Sequence, residues 1–252
     1  MWTNQNGISR AFLPGDGGQA KFLSKTLIDF LKGPNTASTT DDDPRLMVLS
    51  GGILDWSNEK TWKPINADPL AQKGMPNGKS QSQLEAIEGV IAPKVLNLDS
   101  TYSIINPLLL NRDEPYMLMN YGEVQLLLAE AAQRSIGGLS PGAAEAYYNA
   151  GVKASMQMYT IYDASPSFAV SDAAVAAYLA AYPYNVAKPA LEMIGDQMWV
   201  NHFLNWWEAW SHWRRTGYPV LVPTNCPRKR NRWNYSAKAE ISKCRSGRQS
   251  KF

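Results

Sequence analysis

The chain lacks features that would assign it to several common protein classes. Residues 1–225 contain no cysteine, and the two cysteines present, Cys226 and Cys244, lie near the C-terminus, so the body has no disulfide framework. Its two histidines, His202 and His212, lie ten residues apart with no cysteine nearby, which does not match the ligand spacing of a zinc site. No apolar run approaches a membrane span, and Met1 is not followed by the basic and apolar regions of a signal peptide.

Charge is distributed unevenly along the chain. Residues 227–252 hold nine of the 25 basic residues and one of the 22 acidic residues, a net charge of +8. Residues 1–226 hold the other 16 basic and 21 acidic residues, a net charge of −5. A basic tail commonly binds nucleic acid or an anionic membrane surface. The overall charge of +3 therefore describes neither part of the chain.

The body of the chain is predicted to be mainly α-helical. With 252 residues and 44% hydrophobic content, it is long enough to form one substantial core. Helices are predicted where a capping residue precedes an apolar pattern of helical period. The predicted helix starts are Ser24, Asn120, Ser140, Ser171 and Pro189. The apolar face predicted for the helix after Asn120 consists of Val124, Leu127, Leu128 and Ala131.

Between these helices, residues 35–110 form a long region rich in turn signals such as Asp43-Pro44, Gly51-Gly52 and Pro76-Asn-Gly78. Short strands are predicted at Leu46–Leu49 and Val95–Leu98. Loop regions of this length in a compact domain usually carry function. The long loops are therefore the first place to look for a binding site.

Residues 199–219 carry the strongest local pattern, because they contain five of the nine tryptophans. On a continuous helix four of them would share one face, which predicts a buried aromatic stripe, with Asn205 as a possible interruption. These four are Trp199, Trp206, Trp210 and Trp213. Arg214 and Arg215 in the last turn, Gly217 as a left-handed C-cap and Pro219 beyond it predict the helix end.

Several motifs in this order resemble the SusD/RagB family of nutrient-binding outer-membrane lipoproteins. They are Asp43-Pro-Arg-Leu46, Gly74-Met-Pro-Asn-Gly78, Tyr121-Gly-Glu-Val-Gln-Leu-Leu-Leu-Ala-Glu-Ala131, Gln197-x-Trp199 and Glu208-Ala-Trp-x-x-Trp-Arg-Arg-Thr-Gly-Tyr-Pro219. The ordered match covers roughly residues 24–225. Each motif alone is weak, and their order and spacing carry the resemblance.

The resemblance implies a mainly α, SusD-like helical fold with long ordered loops and few short strands. It implies that residues 1–226 form the C-terminal portion of such a domain, without the N-terminal half, lipoprotein signal and lipid anchor of the family. It further implies a non-enzymatic protein on the outward face of the outer membrane. Such a protein binds an oligosaccharide or another nutrient and delivers it to a TonB-dependent SusC-like transporter.

The basic tail departs from the family pattern after Asn225. Reading the gene one base later from Pro227 permits Pro-Gly-Asn-Glu-Thr-Gly-Gly-Thr-Ile-Pro-Arg-Arg, the type of segment with which the family continues, and the single codon of Trp233 forces a glycine in that frame. We therefore predict that residues 227–252 are a frameshifted, disordered tail with no nucleic-acid partner. Resequencing the gene tests this, because an intact frame contradicts it.

No catalytic residue, metal or cofactor is predicted. Glu123 and Glu130 lie seven residues apart on one helix, about 10 Å along its axis, which is wider than a glycosidase pair and indicates solvated or salt-bridged charges. Ser140, within Gly138-Leu-Ser-Pro-Gly142, follows a helix instead of the strand that a nucleophile elbow needs, so it is predicted to be a helix cap. Asp41–Asp43 are predicted to form a loop turn, with calcium binding as the alternative.

The predicted ligand-binding residues lie in the long loops. Trp56 and Trp62 flank Asn58, and an indole stacks on the C–H face of a sugar while an amide bonds its hydroxyls. The alternative is that these tryptophans attach the loop to the core. Tyr102 is a weaker candidate, as is Tyr116. The competing functions are a glycoside hydrolase acting on oligosaccharides and a helical adaptor that binds only protein.

Overall fold

The computed structural model describes residues 7–12, 22–55 and 63–223. Helices dominate this part of the chain, which confirms a mainly α fold with few short strands. The elements are α1 Gly7–Phe12, α2 Lys25–Lys32, α3 Leu46–Leu49, β1 Ile53–Asp55, β2 Lys63–Asn66, α4 Gln81–Ile87, α5 Tyr121–Gln133, α6 Ala144–Gln157, α7 Asp172–Ala181, α8 Ala190–Asn201 and α9 Trp206–Thr216. Strands β1 and β2 pair antiparallel, with Ile53 opposite Asn66. In the described part of the chain, no helix combines the length and apolar character needed to cross a membrane.

Three of the five predicted helix starts are confirmed by capping contacts. The Ser24 hydroxyl accepts a hydrogen bond from the Leu27 amide at 3.2 Å, which begins α2. The Asn120 side chain accepts one from the Glu123 amide at 2.9 Å, which begins α5, and the Ser171 hydroxyl caps α7 in the same way. These side chains satisfy backbone amides that have no partner inside the helix.

Three other local predictions need correction. The predicted strand Leu46–Leu49 is the short helix α3, whose turn is closed by the Ser50 amide donating to the Leu46 carbonyl at 2.9 Å, and Val95–Leu98 forms no regular element. Ser140 occupies an N-cap position, but it precedes a 3₁₀ turn, Pro141–Ala143, and its side chain makes no capping bond. A four-residue apolar run fits a strand and a buried helical turn equally well, so tertiary contacts decide between them.

Helices α5 and α6 form an antiparallel pair at the centre of the helical region. A β-carbon at Gly122, near the start of α5, would lie 3.0 Å from the Ser155 backbone nitrogen near the end of α6. At Gly151 it would lie 2.7 Å from the Leu126 side chain. The two helices therefore approach closely at both glycines. Their core continues into α7 and α8 through the buried residues Leu126, Ala129, Tyr148, Val152, Met156, Val175, Tyr178, Met193, Ile194 and Met198.

The apolar face predicted for α5 is wrong. Val124 and Leu127 are 37% and 40% exposed, whereas Leu126 and Ala129 are fully buried. The buried side of α5 also includes Glu123 and Glu130. Two of the residues on the buried face are charged, and each is buried next to a partner side chain. A prediction from hydrophobicity alone therefore misses this face.

The tryptophan segment also differs from its prediction. Helix α8 ends at Asn201, the chain turns through Leu204 with a φ of 69°, and α9 starts at Trp206, so the four tryptophans do not lie on one continuous helix. Trp206 and Trp210 are 48% and 55% exposed, which contradicts a buried stripe. The predicted end of α9 is confirmed, because Gly217 is left-handed and its amide donates to the Trp213 carbonyl.

Candidate ligand-binding site

A cavity is lined by residues from the end of α2, the first half of α6, the end of α7 and the middle of α8. Its volume is about 330 Å³, at the lower end of the range of small-molecule sites. We call it the tyrosine pocket, and the lining residues that matter here are Phe30, Tyr148, Tyr178, Tyr182, Lys188, Met193, Asp196 and Gln197. Most of its surface is apolar, and its polar lining residues include Asp29 on α2, Lys188 just before α8, and Asp196 and Gln197 on α8.

The three tyrosines give the pocket an aromatic wall. Tyr178 and Tyr182 lie one turn apart on and just after α7, and their ring centroids are 4.9 Å apart. Tyr148 from α6 is almost fully buried, and its ring packs against Tyr184. The Tyr182 hydroxyl donates to the Asp41 carbonyl at 2.9 Å. Burial raises the pKa of all three hydroxyls above the ordinary tyrosine value, so they are neutral.

Asp196 is the buried charged residue of the pocket wall. It is 3% exposed, and one of its carboxylate oxygens, Oδ2, accepts a hydrogen bond from the Lys188 ammonium at 2.6 Å. Lys188 also contacts Glu192 at 3.2 Å. Burial raises the pKa of the Asp196 carboxyl above its ordinary value, although Lys188 acts in the opposite direction. The pocket therefore places an acidic and a basic group side by side on an otherwise apolar wall.

A buried ionic network holds the floor of the pocket in place. Arg45, which is fully buried, donates from Nε and Nη2 to the two carboxylate oxygens of Asp43, at 2.9 and 2.6 Å. It also donates to Ser155 Oγ on α6 and to Gln197 Oε1 on α8. The Gln197 amide then donates to the Tyr178 hydroxyl at 2.8 Å.

Asp43 keeps the Arg45 guanidinium charged in this network, although both groups are buried. Burial by itself would lower the pKa of the Arg45 guanidinium, but the charge and hydrogen bonds of Asp43 raise it above its ordinary value. Residues from the predicted Asp43-Pro-Arg-Leu46 loop and from the Gln197-x-Trp199 motif thus meet in one cluster. Both motifs have a structural role in positioning α6, α7 and α8 around the pocket.

Of the residues predicted from sequence to bind ligand, Tyr102 lies among the described residues. Trp56, Asn58 and Trp62 belong to the segment between β1 and β2 and lie outside the described residues. Tyr102 has no exposed surface, and its hydroxyl donates to Glu88 at 2.9 Å in a cluster with Leu84. Because its ring is covered, Tyr102 cannot stack on a sugar, and that prediction is corrected.

Sequence reasoning missed the pocket residues. Tyr148, Tyr178 and Asp196 come from three different helices, separated by 30 and 18 positions. No local motif connects them. One indication of the pocket is present in the sequence, namely the three closely spaced residues Tyr178, Tyr182 and Tyr184. Such a cluster more often indicates a core face than a binding site.

Of the two carboxylates considered for catalysis, Glu130 is engaged in ion pairs. Glu130 accepts hydrogen bonds from Arg215 at 2.7 Å and from Arg134 at 2.9 Å. Burial alone would raise the pKa of Glu130, but these two guanidiniums hold it below its usual range. Glu123 is buried 3.4 Å from the His202 imidazole. The prediction of salt-bridged charges is confirmed for Glu130, and neither carboxylate lines the tyrosine pocket.

The acidic loop does not assemble a metal centre. Asp43 bonds Arg45, and Asp41 accepts a hydrogen bond from the Asn35 amide at 3.0 Å. Burial raises the pKa of Asp42 to about 6; Lys32 opposes the shift, and the neighbouring carboxylates of Asp41 and Asp43 add to it. Over the part of the chain that the structure describes, no three or more His, Cys, Asp or Glu side chains are grouped so that they could hold a metal ion.

We predict that His212 lowers the free energy of unfolding as the pH falls. Burial and the nearby Arg215 and His202 lower its pKa from 6.5 to about 4, with Glu130 opposing. The native state then binds fewer protons than the unfolded state below pH 6.5, so stability is present above that pH and falls between pH 6.5 and 4. We expect His212 to account for a loss of about 2 kcal/mol between pH 7.5 and pH 5.

The measurement is urea unfolding of the wild type and of His212→Gln at both pH values. Between pH 7.5 and pH 5, the free energy of unfolding of His212→Gln should fall by about 2 kcal/mol less than that of the wild type. The comparison cancels the opposite contribution of Asp42, whose raised pKa adds stability as the pH falls from about 6. Equal pH dependence of the two proteins would contradict the assignment to His212.

Comparison with known protein families places residues 23–235 in a SusD-like family described as starch-binding and associating with the outer membrane. The matched range includes the first residues of the basic tail. A chitin-binding protein of known structure is 32% identical, with a TM-score of 0.62, over 87% of this chain and 42% of that protein. A Bacteroidetes SusD-like protein is 24% identical, with a TM-score of 0.65, over 88% of this chain and 48% of that protein. No curated protein matches the chain.

Proposed function

Because the chain belongs to the SusD-like family of starch-binding proteins that associate with the outer membrane, we propose that it binds an oligosaccharide at the outward face of a bacterial outer membrane. In this proposal it passes the glycan uncleaved to a TonB-dependent SusC-like transporter. The chain spans less than half the length of the two structural relatives. The oligosaccharide ligand and the transporter partner of the whole protein are therefore proposed.

The observation that carries the proposal is the tyrosine pocket. Sugar recognition needs aromatic faces for C–H groups and a few fixed polar groups for hydroxyls or substituents. Tyr182, which is half-buried, supplies the first together with the small exposed part of Tyr178, and Asp196 with Lys188 supplies the second. The chitin-binding relative supports a β-linked amino-sugar polymer as one glycan to test. The loop with Trp56, Asn58 and Trp62 remains a second proposed contact region.

Capture without catalysis can be distinguished from the competing functions by one experiment. Purified protein is titrated calorimetrically with maltoheptaose, cellohexaose and chitohexaose, and the glycans are recovered and analysed by mass spectrometry and for reducing ends. We expect at least one glycan to bind and return intact. New reducing ends would replace the proposal with glycoside hydrolysis. Failure of every glycan, together with recovery of a protein partner, would replace it with a helical adaptor.

A further inference from the structure

Helix α9 presents an aromatic face to solvent. Trp207 is 78% exposed and Trp210 is 55% exposed, and Arg214 is exposed one turn further along the helix. Because these three residues are spaced by three and four positions, they share the face of α9 that lies opposite the buried His212. Two tryptophans this exposed on one helix face are typical of an interaction surface.

The apolar surface continues beyond both ends of α9. At the start of the helix, the Asn205 side-chain amide donates to the Met117 carbonyl at 3.2 Å, which brings the segment after Met117 against α9. At the end of the helix, the Trp213 indole donates to the Pro219 carbonyl at 3.2 Å. We call the whole the α9 surface, and its exposed apolar residues are Leu118, Met119, Trp206, Trp207, Trp210, Val220 and Val222.

The area of the α9 surface fits a protein partner. At about 150–250 Å² for each large side chain, its exposed part comes to roughly 600–800 Å². The largest apolar patch on a typical monomer is about 300–600 Å², and one side of a standard protein–protein interface is about 800 Å². Small ligands bind in concave sites, whereas this surface is the convex side of a helix. A second apolar protein surface therefore complements it better than a sugar ring does.

The charges on α9 make this surface complementary to itself. Arg215 is paired with Glu130, whereas Arg214 makes no ion pair among the described residues. When two α9 helices pack antiparallel about a two-fold axis beside Trp210, Trp207 of one copy lies opposite Arg214 of the other. A guanidinium over an indole ring is stabilised by the electrons of the ring. The two copies of Arg214 lie about 10 Å apart along the helix axis, which limits their repulsion.

We propose that the α9 surface is the contact of a two-fold symmetric dimer of this chain, in which the two α9 helices pack antiparallel. Trp210 packs beside the axis, and a contact between Trp207 and Arg214 flanks it on each side. The interface buries roughly 1,200–1,600 Å² in total, at the lower end of the range for specific complexes, so we expect a Kd on the order of 1–10 µM. The α9 surface does not line the tyrosine pocket, so dimerisation and glycan binding are tested separately.

Sedimentation velocity of the full chain measures this association between about 1 and 100 µM. We expect the wild type to shift from monomer to dimer over this range. Trp207→Lys should associate at least about tenfold more weakly, because it removes the indole and places a cation opposite Arg214. Ile91→Lys is the matched control, since Ile91 is an 80% exposed apolar residue outside the α9 surface, and it should associate like the wild type.

A charge reversal tests the antiparallel pairing. In Trp207→Lys/Arg214→Glu, the introduced carboxylate of one copy faces the introduced ammonium of the other. We therefore expect this double variant to associate at least about threefold more tightly than Trp207→Lys. Within one copy the two positions lie about 10 Å apart along α9, too far for an ion pair. No gain in association, with circular dichroism showing both variants folded, would overturn the pairing.

Two further results would overturn the dimer. One is a wild type that stays monomeric at about 100 µM, or a Trp207→Lys variant that dimerises as tightly as the wild type. The other concerns a competing occupant, the part of the structural relatives that this chain does not match. The chain is co-expressed with that part of the chitin-binding relative. If the wild type bound it in place of a second copy and Trp207→Lys did not, that part would be the occupant of the α9 surface.

Discussion

Replacing Arg45 with methionine is expected to lower the free energy of unfolding by about 3–5 kcal/mol, because it leaves the Asp43 carboxylate buried without its cation. Arg45 makes four side-chain hydrogen bonds, to Asp43, Ser155 and Gln197, and has no exposed surface. Methionine fills similar space but satisfies none of these partners. Urea unfolding followed by circular dichroism measures the loss.

A double variant separates the charge from the packing. Asp43→Asn combined with Arg45→Met removes both charges and should recover part of the stability lost in the single variant. Arg45→Lys should remain destabilised, because a single ammonium cannot reproduce the planar, four-contact geometry. If the free energy of unfolding of Arg45→Met lay within about 1 kcal/mol of the wild-type value, the network would contribute little to stability. The same variant should also loosen Tyr178, since Gln197 would lose the partner that orients it.

The second large effect is expected at the contact between α5 and α6. Leu126 is fully buried against Gly151, so Leu126→Ala should cost about 2–5 kcal/mol through lost burial and the remaining cavity. Gly151→Ala introduces a β-carbon 2.7 Å from Leu126 Cγ and 3.1 Å from the Leu126 backbone nitrogen. That overlap should cost about 1–3 kcal/mol, more than the gain of about 1 kcal/mol in helix propensity.

The two changes should compensate each other. In Leu126→Ala/Gly151→Ala the new methyl group enters the space that leucine vacates, so the loss should be smaller than the sum of the single losses by at least about 1 kcal/mol. Gly142→Ala is the matched control, because a β-carbon there would have no neighbour closer than 3.9 Å. Strict additivity of the two single variants would show that the helices do not meet at this point as described.

Local sequence signals predicted the helical region well. The caps at Ser24, Asn120 and Ser171 and the left-handed end at Gly217 depend on contacts within a few residues, so they can be read from the chain directly. The family resemblance, and with it the fold class, followed from the order of five short sequence motifs between Asp43 and Pro219. These predictions needed no information about distant residues.

Burial could not be predicted in the same way. The pattern on α5 favoured Val124 and Leu127 for the core, but the helix buries Glu123 and Glu130 because His202 and Arg215 approach that side. The tryptophan stripe required a continuous helix, and the turn at Leu204 breaks it. A periodic pattern identifies a face, and only the neighbouring elements determine whether that face is covered.

By itself, the sequence determined that this protein is a mainly α member of the SusD-like family, where α2, α5 and α7 begin, and that residues 1–225 hold no cysteine for a disulfide. Only the tertiary structure brought Tyr148, Tyr178 and Asp196 from three helices into one pocket, placed Arg45 at its floor and buried Tyr102. The reason is physical: caps and turns depend on nearby atoms, whereas a binding pocket depends on contacts between residues distant in sequence.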